Sequence, residues 1–384
     1  MADRVAAFGE TIFTPISALA IKHKAVNLGQ GFPNFDGPDF VKEAAIAAIG
    51  AGHNQYAPMS GIPELRAAIA DWFAAGSDLT IDPDAEVTVT TGCTEAIPAT
   101  LLGLVNPGDE VILFEPYYDS YRASLSLAGA KPRFVTLRPP EFRVDEEELR
   151  QAFSPKTRAI IVNTPHNPTG KVYDRAELEL IASLCIEHDA LAITDEVYER
   201  LIFEGKHIRL ASLPSMFERT VTLSSLGKTF SLTGWKVGWA IAPPALTRGV
   251  RAAHQYLTFA TATPFQHAAA AALRGEQSYF DEFIAAYRRR RDLLVGGLRE
   301  LGFNVKPPAG TYFVLADHTP FGLGDDVAFC RHLIEHVGVA AIPPSAFYHD
   351  PADGRSLVRF AFCQKEQTLH EALERMRAKL ARSS

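Results

Sequence analysis

The fold is indicated by residues 159–198, which read AIIVNTPHNPTGKVYDRAELELIASLCIEHDALAITDEVY. An apolar run at residues 159–163 leads into a turn with two prolines. A helix-like stretch at 174–188 and a second apolar run at 191–194 follow. Near-continuous apolar strands that are joined by helical crossovers are typical of parallel sheets covered on both faces. The stretch therefore predicts a strand–helix–strand unit of an α/β protein.

The same alternation extends from about residue 85 to residue 245. It predicts strands at residues 86–90, 110–114, 159–163, 191–194, 220–224 and 237–242. Ligands of open α/β sheets bind beyond the carboxyl ends of the strands. Polar residues that directly follow these runs are therefore the first candidates for a functional site.

The C-terminal third has a different pattern. Residues 277–301 have apolar positions mainly three and four apart, and Gly302 follows, so they predict one long helix. Apolar runs at 311–316, 339–342 and 357–362 and a helical stretch at 327–336 come next, without regular alternation. This pattern predicts a second, smaller α+β domain, which the weakly patterned first 40 residues could join.

Composition excludes several classes of protein. The 384 residues are 47% hydrophobic and 22% charged, with a net charge of −7, which disfavours a nucleic-acid binder with a generally basic surface. No run approaches the roughly 18 apolar residues of a membrane span, and the N-terminus has no apolar core of signal-peptide length. The four cysteines form no C-x-x-C pair, so neither a disulfide framework nor a zinc cluster is indicated. We expect a cytoplasmic protein that binds neither nucleic acid nor membranes.

Four short motifs resemble known binding or catalytic signatures but do not support those functions. Residues 29–34, GQGFPN, are one residue short of the dinucleotide fingerprint, and nearby prolines prevent the required helix. Residues 227–229, GKT, resemble the end of a P-loop, but the first glycine is missing because position 222 is Thr. Residues 225–228 match S-x-x-K without its companion motifs. Residues 332–336 match H-x-x-E-H, but histidines before Gly338 are typical of a helix end. We expect no metal.

A group of polar residues after the strands fits one chemistry. Each has an ordinary explanation alone: Lys228 could be solvated, Asp195 could cap a helix, and Asn167 before Pro168 could belong to a turn. Together with Tyr198 and a strand-to-helix turn at residues 91–96, they supply an amine, an acid, an amide, a phenol and an anion site. A pyridoxal-phosphate site requires a Schiff-base lysine and an acidic partner for the ring nitrogen.

At these residues the chain resembles the class I aminotransferases of fold type I. It looks most similar to the kynurenine aminotransferase and glutamine transaminase K group and to related bacterial enzymes. The resemblance covers nearly the whole chain, from NLGQGFP at 27–33 and NQY at 54–56 to AIPPSAFY at 341–348 and VRF at 358–360. It implies a large α/β domain (40–285) with a mostly parallel seven-stranded sheet that binds pyridoxal phosphate. Residues 1–39 and 286–384 would form the smaller α+β domain.

The resemblance also implies roles around the cofactor ring. Lys228 would form the internal Schiff base and then act as the base of the 1,3-proton shift. Asp195 would pair with the pyridine nitrogen, and Tyr198 and Asn167 would hydrogen-bond the phenolate oxygen. Tyr117 would stack on the ring face.

Further residues would hold the phosphate group. The resemblance implies Cys93, Thr94, Ser225 and Lys236 within the chain. Tyr56 would reach the phosphate in the other subunit, which implies a homodimer with shared active sites.

The substrate would be an L-amino acid, with a 2-oxo acid as its partner in a ping-pong reaction. Arg359 would clamp the α-carboxylate as a bidentate donor, with Gly31 and Asn167 beside it. Phe13 and Phe259 would line a pocket for neutral, aromatic or sulfur-containing side chains, as in glutamine, methionine, phenylalanine or kynurenine. The chain departs from the kynurenine enzymes, which typically have tryptophan in place of Phe13.

Three alternatives stay open on the sequence. The same lysine could catalyse β-elimination from cysteine S-conjugates. The substrate could be N-succinyl-diaminopimelate, which requires a cationic group in the distal pocket. A non-catalytic sensor with this fold is disfavoured by the acidic charge and by the absence of an added DNA-binding module.

Overall fold

The computed structural model describes residues 1–6 and 8–380, which form twelve strands and fourteen α-helices. The strands are β1 Val26–Asn27, β2 Val87–Thr90, β3 Glu110–Glu115, β4 Lys131–Thr136, β5 Thr157–Asn163, β6 Leu191–Asp195, β7 Thr220–Ser225, β8 Gly238–Ile241, β9 Asn304–Val305, β10 Phe313–Asp317, β11 Val339–Ala340 and β12 Leu357–Ala361. The helices are α1 Asp3–Ala6, α2 Phe13–His23, α3 Asp39–Gly50, α4 Pro63–Ala74, α5 Cys93–Leu104, α6 Asp119–Ala128, α7 Glu146–Ala152, α8 Arg175–Glu187, α9 Leu226–Thr229, α10 Pro244–Leu257, α11 Thr263–Leu273, α12 Gln277–Leu301, α13 Asp326–His332 and α14 Glu366–Lys379.

Seven strands form one twisted sheet in the order β2-β8-β7-β6-β5-β3-β4. All neighbours are parallel except β8, which is antiparallel to β2 and to β7. The central strand β6 is buried along its whole length, as expected for a strand that has helices on both faces. The α/β fold with a mostly parallel seven-stranded sheet is therefore confirmed.

Six of these strands were predicted from the sequence, and β4 was missed. β4 is an edge strand whose first residues, Lys131, Pro132 and Arg133, alternate between exposed and half-buried. Proline is tolerated at a sheet edge because its missing N–H group is not needed there. The mixed composition hid the strand from a search for apolar runs.

The remaining strands form two small sheets. β10 lies between β12 and β9 in an antiparallel sheet, and β1 pairs in parallel with β11. The backbone N–H of Ala361 also donates to the carbonyl of Leu28 at 2.6 Å. The N-terminal segment thus lies against the C-terminal part of the chain, while the proposed domain division at 1–39, 40–285 and 286–384 stays a prediction.

The long helix α12 has the predicted bounds and ends at Gly302, whose φ of 104° is left-handed. The predicted helix at 327–336 divides into α13 and a π-helical turn, Leu333–Val337, which ends at Gly338 with φ 85°. Among the described residues, no helix combines the length and apolar character needed to cross a membrane. A cytoplasmic location remains a prediction.

Candidate active site

A cavity of about 270 Å³ lies beyond the carboxyl ends of β5, β6 and β7. The register of these strands aligns Asn163 with Asp195, and Asp195 with Leu223, so their last residues meet at one edge. A larger cavity, about 610 Å³, lies between residues 139–142 and 304–309 and contains none of the predicted site residues. The titratable groups converge in the smaller cavity, which we take as the candidate active site.

Asp195 ends β6 and is a buried carboxylate on the cavity wall. Its Oδ2 accepts a hydrogen bond from Tyr121 Oη at 2.7 Å. Its Oδ1 accepts from the N–H of Val197 at 3.3 Å and from Cys93 Sγ at 3.6 Å. Burial raises the pKa of Asp195, and these hydrogen bonds oppose the rise. These hydrogen bonds hold the carboxylate in place, and no cation among the described residues lies within ion-pair distance of it.

Lys228 lies on the one-turn helix α9, directly after β7, and its side chain lines the same cavity. Its Nζ donates to Tyr312 Oη at 2.9 Å and faces the carbonyl oxygen of Gly31 at 3.4 Å. Burial lowers the pKa of Lys228 to about 8, because a charged ammonium is poorly solvated there. A substantial neutral fraction can then act as a nucleophile near neutral pH.

The residues predicted to hold the phosphate lie around the N-terminus of α5. The first N–H groups of an α-helix have no partner in a preceding turn, and the helix dipole there favours negative charge. Gly92 precedes the helix with φ 71°, and a Cβ there would lie 3.3 Å from Lys236 Cε. Lys236 Nζ donates to Thr94 Oγ1 at 2.8 Å, and Ser225 lines the cavity nearby. Backbone donors and a lysine therefore converge at one end of the cavity.

Arg359 on β12 reaches the opposite side of the cavity and is only 3% exposed. Its guanidinium donates to the carbonyl of Gly29 at 3.0 Å and to Asn167 Oδ1 at 3.4 Å. The Nε atom has no hydrogen-bond partner, and no carboxylate in the described chain lies within 4.0 Å. Burial lowers the pKa of Arg359 to about 10. A buried cation without an anion is suited to binding a carboxylate ligand.

Most of the other predicted residues also lie at this cavity. Gly31, Phe13, Tyr198 and Asn167 all line it. The ring of Phe13 lies 5.3 Å from the Arg359 guanidinium, which places Phe13 beside the expected carboxylate site.

The structure does not place Tyr117, the residue predicted to stack on the cofactor ring, on the wall of this cavity. Tyr117 points away from the cavity and packs against Phe134, with ring centroids 5.7 Å apart. The next residue, Tyr118, lines the cavity instead. Successive side chains of an extended segment point to opposite sides, so a shift by one residue reverses the orientation.

The prediction that Phe259 lines the pocket is also not met within its own chain. Phe259 has a left-handed φ of 66° and is 36% exposed. It contacts Tyr56 edge-on at 5.6 Å, and Tyr56 is 87% exposed. The local backbone turns this aromatic pair outward, away from the cavity of the same subunit.

Several residues near the site were not predicted from the sequence. Tyr121 and Tyr312 contact Asp195 and Lys228, and Tyr118 and Thr233 line the cavity. Tyr118 and Tyr121 follow the carboxyl end of β3, and this position after a strand was a signal that could have identified them. No local signal identified Tyr312, because its partner Gly31 is 281 residues away.

A second acidic cluster lies behind the site. Ligand atoms of Glu196, Glu199 and His207 lie within 4.8 Å of one another, close enough to hold a metal ion. Arg209 donates to both carboxylates at 2.5 Å, so its guanidinium already balances their charge. Trp72 Nε1 also donates to Glu199 at 2.9 Å. The cluster is therefore a buried ion-pair network, and its member Glu196 directly follows Asp195 in the chain.

Comparisons with known proteins agree with this arrangement. A family model described as aminotransferase class I and II matches residues 23–376. The chain is 48% identical to a probable N-succinyldiaminopimelate aminotransferase DapC of Mycobacterium tuberculosis, over 97% of each chain. It is 44% identical to a methionine aminotransferase of Escherichia coli, over 96% of each. It is 40% identical to kynurenine–oxoglutarate transaminase 1 of Homo sapiens, over 94% of this chain and 93% of the human one.

The solved structure of N-succinyldiaminopimelate aminotransferase from M. tuberculosis has a TM-score of 0.96 to this chain at 48% identity. The match covers 99% of this chain and 100% of the other. The expected fold type and the expected dependence on pyridoxal phosphate are thereby confirmed. The chain belongs to the class I and II aminotransferases, enzymes that use pyridoxal phosphate to move amino groups between amino acids and oxo acids.

Proposed function

We propose that this aminotransferase acts on L-amino acids with neutral, aromatic or sulfur-containing side chains, with Lys228, Asp195 and Arg359 as its principal site residues. The observation that carries the proposal is the buried Arg359 guanidinium, which has no anionic partner in the described chain and faces the cavity of Lys228 and Asp195. An amino acid brings both a carboxylate for the arginine and an amino group for the reaction.

The residues around the cavity fit pyridoxal phosphate. The buried carboxylate of Asp195 suits a protonated pyridine nitrogen, and the start of α5 with Lys236 suits the phosphate. Lys228 supplies the amine that the aldehyde requires. When bound, the cofactor supplies an electron sink for the negative charge that develops at the substrate Cα.

Asp195 would keep the ring nitrogen of the bound cofactor protonated, because its carboxylate is a fixed negative charge on the cavity wall. Tyr121 and Val197 donate to its two oxygens, so the carboxylate cannot rotate freely toward water. Tyr198 and Asn167, which line the same cavity, are positioned to donate to the phenolic oxygen.

Lys228 moves the proton at the substrate Cα. A pKa near 8 allows the amine to accept a proton in one step and to return it in the next at neutral pH. Arg359 fixes the carboxylate, and this fixes the direction of the Cα–H bond. Orientation of this kind lowers barriers by several kcal/mol (roughly 7–11 in favourable model systems).

The walls of the cavity support a neutral side chain. Phe13, Ile97 and Phe313 are apolar lining residues. Lys228, Lys236 and Arg359 are the cations that line it in the described part of the chain, and each already has a proposed partner. A second carboxylate, as in N-succinyl-diaminopimelate, would find no further cation among the described residues that line the cavity.

A substrate like N-succinyl-diaminopimelate is nevertheless the second candidate. The 48% identity to the M. tuberculosis relative favours it. A cation from another subunit could complete the site, so both substrate classes belong in the test.

A homodimer would place the outward-facing aromatic residues at an interface. Tyr56 and Tyr256 are strongly exposed, at 87% and 89%, and Phe259 contacts Tyr56. Exposed aromatic groups of this kind are typical of protein interfaces. Tyr56 would then contribute to the phosphate site of the partner, and Phe259 to the partner's substrate pocket.

The test is the visible spectrum of the purified protein with single amino acids and no oxo acid. Wild type should show a cofactor band that methionine, phenylalanine, glutamine or kynurenine converts to the amino form of the cofactor. Lys228→Ala should lack the lysine-dependent band. Conversion by N-succinyl-diaminopimelate alone would favour the second candidate, and failure with every amino acid would contradict the proposal.

β-Elimination needs its own assay. Pyruvate release from a cysteine S-conjugate without an added oxo acid would identify that activity.

Sedimentation of the protein at several concentrations would test the homodimer. If Tyr56 contributes to the partner's phosphate site, Tyr56→Ala should lower the affinity for pyridoxal phosphate.

A further inference from the structure

Tyr312 has a contact that the proposed roles do not use. It precedes β10, is fully buried, and its hydroxyl lies between Lys228 Nζ at 2.9 Å and the carbonyl oxygen of Gly31 at 2.6 Å. Both neighbours belong to the site, although Tyr312 itself does not line the cavity.

The chemistry of the three groups sets the direction of these hydrogen bonds. A carbonyl oxygen only accepts, so the hydroxyl hydrogen of Tyr312 is directed to Gly31. The lone pairs of Tyr312 Oη are then left to accept a hydrogen from the Lys228 amine. Tyr312 is therefore an acceptor toward Lys228, whichever protonation state the amine has.

The amine nitrogen has three positions besides its bond to Cε. One is directed to Tyr312 Oη, and a second faces the Gly31 carbonyl at 3.4 Å. The third remains for the cavity that Lys228 lines. In the neutral amine, with both hydrogens engaged, this third position holds the nucleophilic lone pair.

The geometry points to Tyr312 as a positioning residue, whose hydroxyl holds the Lys228 amine so that its reactive position faces the cofactor site. The inference rests on the proposed role of Lys228 and adds a second residue to it. The condensation that follows joins the amine nitrogen to an aldehyde carbon and releases one water, so no further reactant is needed.

The surroundings make Tyr312 suitable for this task. Its ring is packed by Tyr198 at 5.2 Å, Phe313 at 4.8 Å and Tyr287 at 6.1 Å. Lysine has four rotatable side-chain bonds, and a flexible amine loses freedom each time it is oriented. A fixed acceptor, held by packed rings and by the Gly31 carbonyl, restricts that motion beforehand.

The experiment compares two ligands on the apoenzyme. Pyridoxamine phosphate has no aldehyde and cannot react with Lys228. Its affinity therefore reports on the residues that bind the ring and the phosphate. Pyridoxal phosphate must also react with the Lys228 amine. The rate at which its visible-absorbing adduct forms therefore reports on the lysine. Tyr312→Phe should bind pyridoxamine phosphate within about twofold of wild type, while adduct formation slows roughly two- to tenfold, as expected for one lost hydrogen bond.

Tyr287→Phe is the matched control. It removes another buried hydroxyl from the same aromatic cluster, but Tyr287 does not contact Lys228. It should change neither measurement. An unchanged rate in Tyr312→Phe, or an equal loss in both variants, would overturn the inference.

The experiment distinguishes failure of the proposed Lys228 role from failure of the Tyr312 role. If wild type itself forms no adduct, the proposed role of Lys228 fails, whereas a normal wild-type rate matched by Tyr312→Phe refutes only the positioning role. Should Tyr312→Phe fail to fold, site-specific fluorotyrosine at position 312 keeps the shape and weakens the acceptor. The adduct should then form more slowly, and an unchanged rate would refute the inference.

Discussion

Replacing Arg359 by leucine should separate substrate recognition from stability. The guanidinium is 3% exposed, and its hydrogen-bond acceptors are the neutral oxygens of Gly29 and Asn167. Burying a charge without an anion is unfavourable, and apolar replacements of buried charges are often neutral or stabilising. We therefore expect the apoenzyme of Arg359→Leu to unfold at the same or a higher urea concentration than wild type.

The kinetic effect should be large and should depend on the carboxylate. Losing one partner of a buried, hydrogen-bonded charge pair costs about 2–5 kcal/mol, which corresponds to roughly 30- to 5,000-fold in kcat/KM. Arg359→Lys keeps the charge but loses the planar fork, so we expect a smaller loss in the same direction.

The assay uses a pair of donors that differ only in the carboxylate, such as methionine and 3-(methylthio)propylamine. Wild type should strongly prefer the amino acid, and Arg359→Leu should lose activity on methionine while its slow reaction with the amine is unchanged. An equal loss on both donors would refute a carboxylate-binding role.

Arg291→Leu provides the control for a buried arginine that has carboxylate partners. Arg291 is 6% exposed and pairs with Glu204 and Asp292 at 3.3 and 2.7 Å. It does not line the cavity, so its replacement should lower stability and leave the preference for methionine over the amine intact.

Three further predictions concern Lys228, Gly92 and Arg209. The pKa of Lys228 falls from about 10.5 to about 8 on folding, so the unfolded apoenzyme binds more protons than the folded one between these pH values. The unfolding free energy of wild type, relative to that of Lys228→Met, should therefore rise by about 3 kcal/mol from pH 8 to 10.5. A difference between the two proteins in urea unfolding that does not change with pH would contradict this. Gly92→Ala should weaken pyridoxal phosphate binding in a titration, whereas Gly108→Ala, with φ 91° but nothing near its Cβ, should cost only about 1 kcal/mol of stability. Arg209→Met removes the guanidinium that pairs with both buried carboxylates, Glu196 and Glu199, and should cost about 3–5 kcal/mol in urea unfolding. Arg175→Met, at an exposed pair, should cost roughly 0–1 kcal/mol.

The elements that were predicted correctly depend on local patterns. The helix α12 has the bounds expected from its apolar spacing and from Gly302, because a 3.6-residue period and a left-handed stop act within a few turns. The buried strands β5, β6 and β7 are near-continuous apolar runs for a similar reason. The edge strand β4 escaped prediction because one side of it faces solvent, and its composition is mixed.

The candidate site shows the same division. Asp195 and Lys228 were predicted because they follow the apolar runs at 191–194 and 220–224, and parallel strands bring their carboxyl ends to one edge. Tyr117 was predicted at the cofactor ring, whereas Tyr118 lines the cavity, because the orientation of these side chains depends on how the chain turns into α6. Phe259 faces outward because its backbone has a left-handed φ, which apolar character alone does not indicate.

The sequence by itself determined the α/β class, the strand ends that carry the acid and the amine, and the family resemblance. The tertiary structure decided which distant groups meet: Tyr312 with Gly31, and Arg359 with Gly29, at separations of 281 and 330 residues. The physical reason is one of range. Periodic apolar patterns specify which face of a helix or strand is buried. Because the hydrophobic effect is not directional, they do not specify which distant residues that face will contact. A hydrogen bond between distant residues requires placement within a few tenths of an ångström, and only the packing of the whole chain provides it.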